Sequence, residues 1–237
     1  MSAAKLFTPT NLLLASLPEK EYENILSLGK LVELSSGDIL GQAGKNFHSI
    51  YFPVNCTISL ISQLNGKTKM EIAIVGPEGM LGLNSLLDVK VSLLNSIVEV
   101  SGTALTIDNK VFHKVHSKST ALQKILKNYI FVRLYQFSQT ATCNRFHVIN
   151  ARLARWILMA QDCAHFNEFY VTHECLANKL GVRRAGVTQA AGELQKKKLI
   201  SYKKGHLRIL DRKGLETITC GCYQLNKNIY KDIMKAQ

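Results

Sequence analysis

Residues 172–194 constrain the fold more than any other stretch, because they read as two short helices meeting at a sharp, fixed turn. Thr172 is a good helix N-cap, and the helix it opens reaches Leu180. Gly181 stands where helices end on a left-handed residue, a conformation that costs glycine nothing. A second helix is expected from about Arg183 to Gln195. Leu176, Leu180, Val182, Val187, Ala190 and Leu194 form the shared core, and Ala177 is small where the helices cross. A small residue, a glycine four later and a β-branched apolar residue six after that suit a helix-turn-helix: close crossing, sharp turn, wedge.

Burying Val187, Ala190, Ala191 and Leu194 leaves Arg183, Arg184, Ala185, Thr188, Gln189 and Gly192 facing outward. Arginine can grip both acceptors on a guanine edge and glutamine can pair with adenine, each contributing ~1–3 kcal/mol of discrimination. A helix that had only to be soluble would favour Glu and Lys there. Lys196, Lys197 and Lys198 follow, then two strand-like runs, 199–203 and 206–210, about Lys204-Gly205. That is a winged hairpin whose Lys203, Lys204 and His206 can reach phosphate or the minor groove. Together with Thr172 these are the candidate DNA-binding residues. Taken alone, the triple-lysine run reads as a solvated face; combined with the turn geometry and the wing it points to double-stranded DNA.

The charge distribution agrees. Residues 144–237 carry 17 Lys+Arg against 7 Asp+Glu, while residues 1–143 carry 13 against 10. A strongly basic C-terminal part on a nearly neutral body suits a polyanionic partner.

Upstream the texture is different. Residues 1–28 have a helical period, with Leu12, Leu13, Leu17, Tyr22, Ile25 and Leu26 on one face. Short β-rich runs follow at 31–34, 49–53, 57–63, 69–75, 97–101 and 104–107, separated by turn signals. Asn65-Gly66 between two apolar runs is the strongest hairpin cue. Many short strands at this spacing fit an antiparallel barrel or sandwich. From about Ser117 the helical period returns over about 27 residues, or ~40 Å at 1.5 Å per residue. Its seam of Leu122, Ile125, Leu126, Tyr129, Val132, Arg133, Gln136 and Thr140, ending near Cys143, is near heptad spacing and is expected to be a dimer contact. The alternative is an amphipathic helix lying on its own barrel. The expected fold class is therefore α+β, with a sensor domain at 1–116, a dimerisation helix at 117–144 and a winged helix-turn-helix DNA-binding domain at 145–237.

Other classes fit poorly. No run approaches the ~18 apolar residues needed to span a bilayer, and the N-terminus lacks the pattern of a secretory signal, so the expected location is the cytoplasm. The six cysteines are expected to be reduced there. Only Cys220 and Cys222 are neighbours, and a single C-x-C without a second pair is a poor zinc signature, so the thiols read as structural or incidental and no metal or cofactor is expected. Gly66-Lys67-Thr68 lacks the upstream glycine of a phosphate loop, and His113-Lys114-Val115-His116 lacks the glutamate and spacing of a metalloprotease helix. No catalytic constellation emerges, and an enzyme is not expected.

With these residues in view, the chain resembles the cyclic-AMP receptor protein/FNR family of bacterial transcription regulators over essentially its whole length. Residues 172–194 are the specific part. Gly-Pro-Glu-Gly-Met-Leu-Gly-Leu (76–83), the segment 152–162 and Ile-Leu-Asp-Arg-Lys-Gly-Leu-Glu (209–216) add to it. The resemblance implies a cyclic-nucleotide-binding-like β-barrel and a homodimer on a roughly palindromic operator, altering RNA polymerase recruitment. It implies base reading from Arg183, Arg184, Thr188 and Gln189. Ala185 stands where many members carry an acidic residue, so no operator sequence carries over.

The family's cyclic-nucleotide sensors share a Gly-Glu for the ribose and an Arg-Ser or Arg-Thr about ten residues later. Here the corresponding stretch is Gly82-Leu83, then Leu93-Leu94-Asn95-Ser96, and no arginine lies between Gly76 and Gly102. A buried cyclic phosphate without a cation would cost several kcal/mol; cyclic AMP is not the expected effector, whose identity stays open. FNR-like oxygen sensing is not expected either, because the first 55 residues hold no cysteine. For haem, His48, His113 and His116 are available as axial ligands, but a lone histidine is far more often a surface or core residue. The alternative reading is an effector-sensing or protein-docking β-barrel for which DNA binding is secondary.

Overall fold

The computed structural model describes residues 11–64, 68–164 and 166–235, with only the backbone of the last. The expected helix before Asn11 and the Asn65-Gly66 turn lie outside the described residues. From Asn11 onward the chain does not run as one helix. Asn11 is buried, its amide donating to the carbonyls of Pro53 and Gly79 at 2.8 Å each, while its side-chain oxygen accepts from Leu14 N–H. A short 3₁₀ turn at Leu14–Ser16 follows, and helix α1 (Glu19–Leu28) starts only after Pro18, which has no N–H to continue a helix. Leu13, Leu14, Leu17 and Ile25 turn inward, whereas Leu12 and Leu26 are exposed.

Seven strands come next: β1 (Lys30–Leu34), β2 (Ile39–Gly41), β3 (Ser49–Pro53), β4 (Thr57–Leu64), β5 (Thr68–Val75), β6 (Asn95–Val100) and β7 (Gly102–Asp108). They pair antiparallel as a three-stranded sheet, β1-β7-β3, and a four-stranded sheet, β2-β6-β4-β5. The strand pairing gives two sheets around one core rather than a continuous ring. Six of the strands follow the β-rich runs of the sequence; β2, at three residues, is too short to show a period. Ile50, Phe52, Ile58, Leu105 and Ile107 fill the space enclosed by the strands.

Helix α2 (Asn109–His116) is capped by the Asp108 carboxylate, which accepts from the N–H groups of Lys110 and Val111. Helix α3 (Thr120–Phe146) is 27 residues long, and Ser119 Oγ accepts from Leu122 N–H at its start. The expected dimer seam lies elsewhere than on a free surface. Leu122, Ile125, Leu126, Tyr129 and Val132 are buried in this chain's own core. The Tyr129 hydroxyl accepts from Met80 N–H at 3.2 Å, and Arg133 donates to the Ile74 carbonyl at 3.0 Å and to Gln136 at 2.9 Å. Thr140 is half-buried against Arg155, 3.3 Å away. Periodicity finds the most apolar stripe of a helix, and the nearest apolar surface, the chain's own sheets, takes it. The face left outward carries Phe131, 54% exposed, and Leu134, 62% exposed.

The C-terminal part comprises α4 (Ile149–Ala164), β8 (Glu168–Tyr170), α5 (His173–Leu180), α6 (Arg184–Lys196), β9 (Ile200–Lys203), β10 (His206–Ile209), α7 (Arg212–Ile218) and α8 (Cys222–Lys235). Leu153, Ile157, Leu176, Val187, Leu194, Leu207 and Leu215 make its core. Helix α8 leaves this unit, returns along α3 and inserts Met234 into the N-terminal core, with Ile229, Tyr230 and Ile233 beside it. The C-terminal unit is also docked on β5 by a buried ion cluster. Lys179 Nζ lies 2.7 Å from Glu71 and 2.8 Å from Glu99, and the indole N–H of Trp156, the chain's single tryptophan, donates to Glu71 at 2.8 Å. Burial opposes the charge on Lys179, yet the Glu71 and Glu99 carboxylates outweigh it and raise its pKa.

Candidate nucleic-acid interface

The turn forms as its residues dictate. Thr172 Oγ1 accepts from Cys175 N–H at 3.1 Å, and α5 ends at Gly181, whose φ of +61° is left-handed. Ala177 is buried where α5 and α6 meet, and Val187, Ala190, Ala191 and Leu194 are buried on the inner side of α6. Helix α6 begins one residue later than expected, with Arg183 as its N-cap and no side-chain cap of its own. Arg183, Arg184 and Ala185 at its start are exposed, and the N–H groups and positive dipole end of an exposed helix start are a favourable place for phosphate.

Arg183, Arg184, Thr188 and Gln189 are all exposed. Arg184 and Thr188 are one turn apart, and Thr188 Oγ1 donates back to the Arg184 carbonyl at 3.1 Å. Gln189 donates one amide N–H to Glu193 at 3.2 Å, which leaves its second N–H and its oxygen for another partner. Thr172 is exposed too; its oxygen caps the helix while its hydroxyl proton is free to donate.

The wing is a three-stranded sheet in the order β8-β10-β9, one strand more than expected. His206 pairs with Lys203 across a two-residue turn in which Lys204 (φ +50°) and Gly205 (φ +86°) are both left-handed, as a type I′ hairpin requires. Lys203, Lys204 and His206 are exposed at this tip. His173, absent from the expected set, stands between helix and wing. Its ring is 3.0 Å from Thr188 Oγ1 and meets the Tyr202 ring edge-on at 4.7 Å between centroids. Burial and then the charge of Arg184 lower its pKa, so it is neutral at pH 7. No period or motif marked it, since its role depends on three elements meeting.

The lysine run has a local explanation as well. Lys198 (φ +57°) is the left-handed residue closing α6, with Leu199 N–H bonding the Leu194 carbonyl at 3.1 Å. Positive charge at a helix C-terminus opposes the helix dipole, so these lysines favour the fold before any partner arrives.

The cysteines do not stay scattered. Cys143, at the end of α3, meets Cys220 and Cys222, and His147 joins them. Reading only the C-x-C pair missed this, because the other two residues lie more than 70 positions away in the chain.

Residues 151–218 match the model of the Crp-like helix-turn-helix domain. A search of the curated proteins finds no match. Among solved structures, the chain is similar to a crp/fnr-family putative transcriptional regulator from Eubacterium rectale, with TM-score 0.66 and 16% identity over 87% of this chain and 97% of that one. FixK2 from Bradyrhizobium japonicum gives TM-score 0.69 and 12% identity over 81% and 98%. The c-di-GMP-responsive regulator CLP of Xanthomonas campestris gives 0.67 and 12% over 81% and 99%. These likenesses establish the shared architecture of β-rich N-terminal domain, long helix and C-terminal helix-turn-helix. Among the described residues no helix is long and apolar enough to cross a membrane. Residues 151–218 thus form a Crp-like helix-turn-helix domain, and the chain as a whole shares the fold of these regulators.

Proposed function

We propose that the protein acts in the cytoplasm as a homodimer on a palindromic operator and alters RNA polymerase recruitment there. The observation that carries this reading is the outward face of α6. Arg183, Arg184, Thr188 and Gln189 stand exposed on one helix and Lys203, Lys204 and His206 at the wing tip of the same unit, residue types suited to base edges in a major groove and to its flanking phosphates. In this reading Arg184 and Gln189 interrogate bases, and Thr172 and the wing lysines hold phosphates. The protomers meet through the outward side of α3, around Phe131 and Leu134, rather than through its core-facing stripe. Residues 1–116 serve as the sensor, 117–144 as the dimer helix and 145–237 as the reader, with α8 strapping the reader back to α3.

Cyclic AMP is not the effector in this reading, because the stretch 76–102 offers no arginine to a buried phosphate. Calorimetric titration with cyclic AMP and cyclic GMP tests that; micromolar binding of either would refute it. Selection of bound genomic fragments followed by titration over a range of salt tests the reader. One preferred inverted repeat, with log K falling by ~0.9 per phosphate contact against log salt, is expected. Equal affinity for every duplex would overturn it.

A cavity of about 370 Å³ between β5, α3, α4 and α8 favours a second, compatible reading in which a small anionic effector binds there. Arg133 and Arg155 line it, both more than nine-tenths buried, and among the described residues one guanidinium nitrogen of Arg133 and the buried amide of Asn226 have no hydrogen-bond partner. An anion would satisfy these donors and bias how α8 straps the two units together. Arg133→Gln would abolish the response to such an effector without changing affinity for the operator in its absence.

A further inference from the structure

Four side chains from separate parts of the chain converge where the long helix meets the DNA-binding unit. Cys143 lies in the last turn of α3, His147 is the residue that ends it, Cys220 precedes α8 and Cys222 opens it. One ligand atom from each lies within 4.8 Å of all the others. Cys143 Sγ is 3.5 Å from Cys220 Sγ, and Cys222 Sγ is 3.7 Å from His147 Nδ1. A tetrahedron around one ion, with metal–sulfur bonds of about 2.3 Å and a metal–nitrogen bond of about 2.0–2.1 Å, has edges of about 3.6–3.8 Å. Thiolates on the corners of a polynuclear iron–sulfur cluster stand farther apart than that. Three sulfurs and one imidazole are the donor set that suits Zn²⁺ among the common divalent ions.

The surroundings fit a charged centre. The three cysteines are buried, with Ala151 packed against them. Three thiolates and a neutral imidazole around Zn²⁺ leave one net negative charge. Arg152 and Arg155 of α4 lie within electrostatic reach of Cys143, and the Nε–H of each is buried without an acceptor among the described residues. Arg152 also donates to Asn144 at 2.8 Å, next to Cys143 in the chain, as an outer partner that would steady a ligand.

We propose that Cys143, His147, Cys220 and Cys222 form a Zn²⁺ site that fastens the end of α3 to the start of α8. Binding exchanges three thiol protons for the ion: Zn²⁺ joins three sulfurs and Nδ1 of neutral His147, and three protons leave to solvent. The ion holds the junction His147-Val148 between α3 and α4, so the angle at which the winged unit leaves the long helix depends on it.

Elemental analysis of the full-length protein, purified under reducing conditions with stoichiometric zinc, is expected to find about one Zn²⁺ per chain. Replacement by Co²⁺ should give the visible d–d and thiolate charge-transfer bands of a tetrahedral sulfur-rich site. Cys143→Ser, Cys220→Ser and Cys222→Ser should each lose the ion, and His147→Ala should weaken it roughly tenfold or more while His147→Cys retains it. Cys56→Ser and Cys175→Ser should leave the stoichiometry intact. Circular dichroism checks folding, and if a ligand variant does not fold, the Co²⁺ spectrum of the unaltered chain decides. A folded chain without metal, a Cys143–Cys220 disulfide in its place, inorganic sulfide in the product, or metal lost on changing Cys56 or Cys175 would each overturn the proposal.

Discussion

The C-terminal unit carries two sets of cations that behave in opposite ways. Arg183, Arg184, Lys203 and Lys204 are exposed and, among the described residues, form no ion pair. Lys179, one helix away, is 5% exposed at its side chain and clamped between Glu71 and Glu99. Each of these cations counts the same in a net charge of +13, and only the exposed ones are available to a polyanion. Charge composition therefore identifies the kind of partner, while burial decides which residues meet it. The clamped lysine serves the other interface of the same unit, its seat on the β-sheets.

The comparison breaks most visibly at Lys179. Lys179→Met leaves Glu71 buried without its counter-ion and should cost about 3–5 kcal/mol in thermal or urea unfolding. The double variant with Glu71→Gln should recover part of that loss. Trp156 emission should shift in both, since its indole shares Glu71. A cost below about 1 kcal/mol would mean the cluster does not hold the units together.

On the exposed set, Arg184→Ala and Gln189→Ala should each remove ~1–3 kcal/mol of discrimination between the preferred operator and a variant of it. Unfolding stability should stay within about 0.5 kcal/mol. Lys204→Asn, which keeps the left-handed turn, should weaken all duplexes alike and flatten the salt slope by ~0.9. If all three variants weaken every sequence equally, α6 is not the reading element.

Two smaller effects sharpen the same contrast. Lys198→Gly relieves a left-handed lysine and should stabilise the fold by about 1 kcal/mol, visible as a higher melting temperature. His173 has its pKa lowered by burial and by Arg184, so the folded chain binds fewer protons there than the unfolded one. Stability should therefore be indifferent to this group above about pH 6.5 and fall as pH drops from there towards the lower folded value. Urea midpoints at pH 8 and pH 5.5 should show that slope, and His173→Gln should remove its share.

What was legible in the sequence was local. Thr172, Ala177, Gly181 and Val187 impose the turn through a cap, a crossing, a left-handed residue and a wedge, and each acts within a few residues. The β-runs and the long helix were legible for the same reason, their periods being properties of one segment. The helical start foreseen from the period through Leu12 and Leu26 was less so, because Pro18 and the buried amide of Asn11 interrupt it. The side of α3 that turns outward was not legible, because its apolar stripe says only that it will be buried and not by whom.

By itself, then, the amino-acid order determined most of the helices, strands and turns and which side chains of α6 stay exposed, because backbone sterics and helical geometry act over short distances. Only the tertiary structure decided what meets across long distances. It brought Lys179 to Glu71, 108 residues apart, α8 to α3, and Cys143 to Cys220, 77 residues apart. Such contacts depend on how whole elements pack, and no periodicity within one segment records the partner that another will supply.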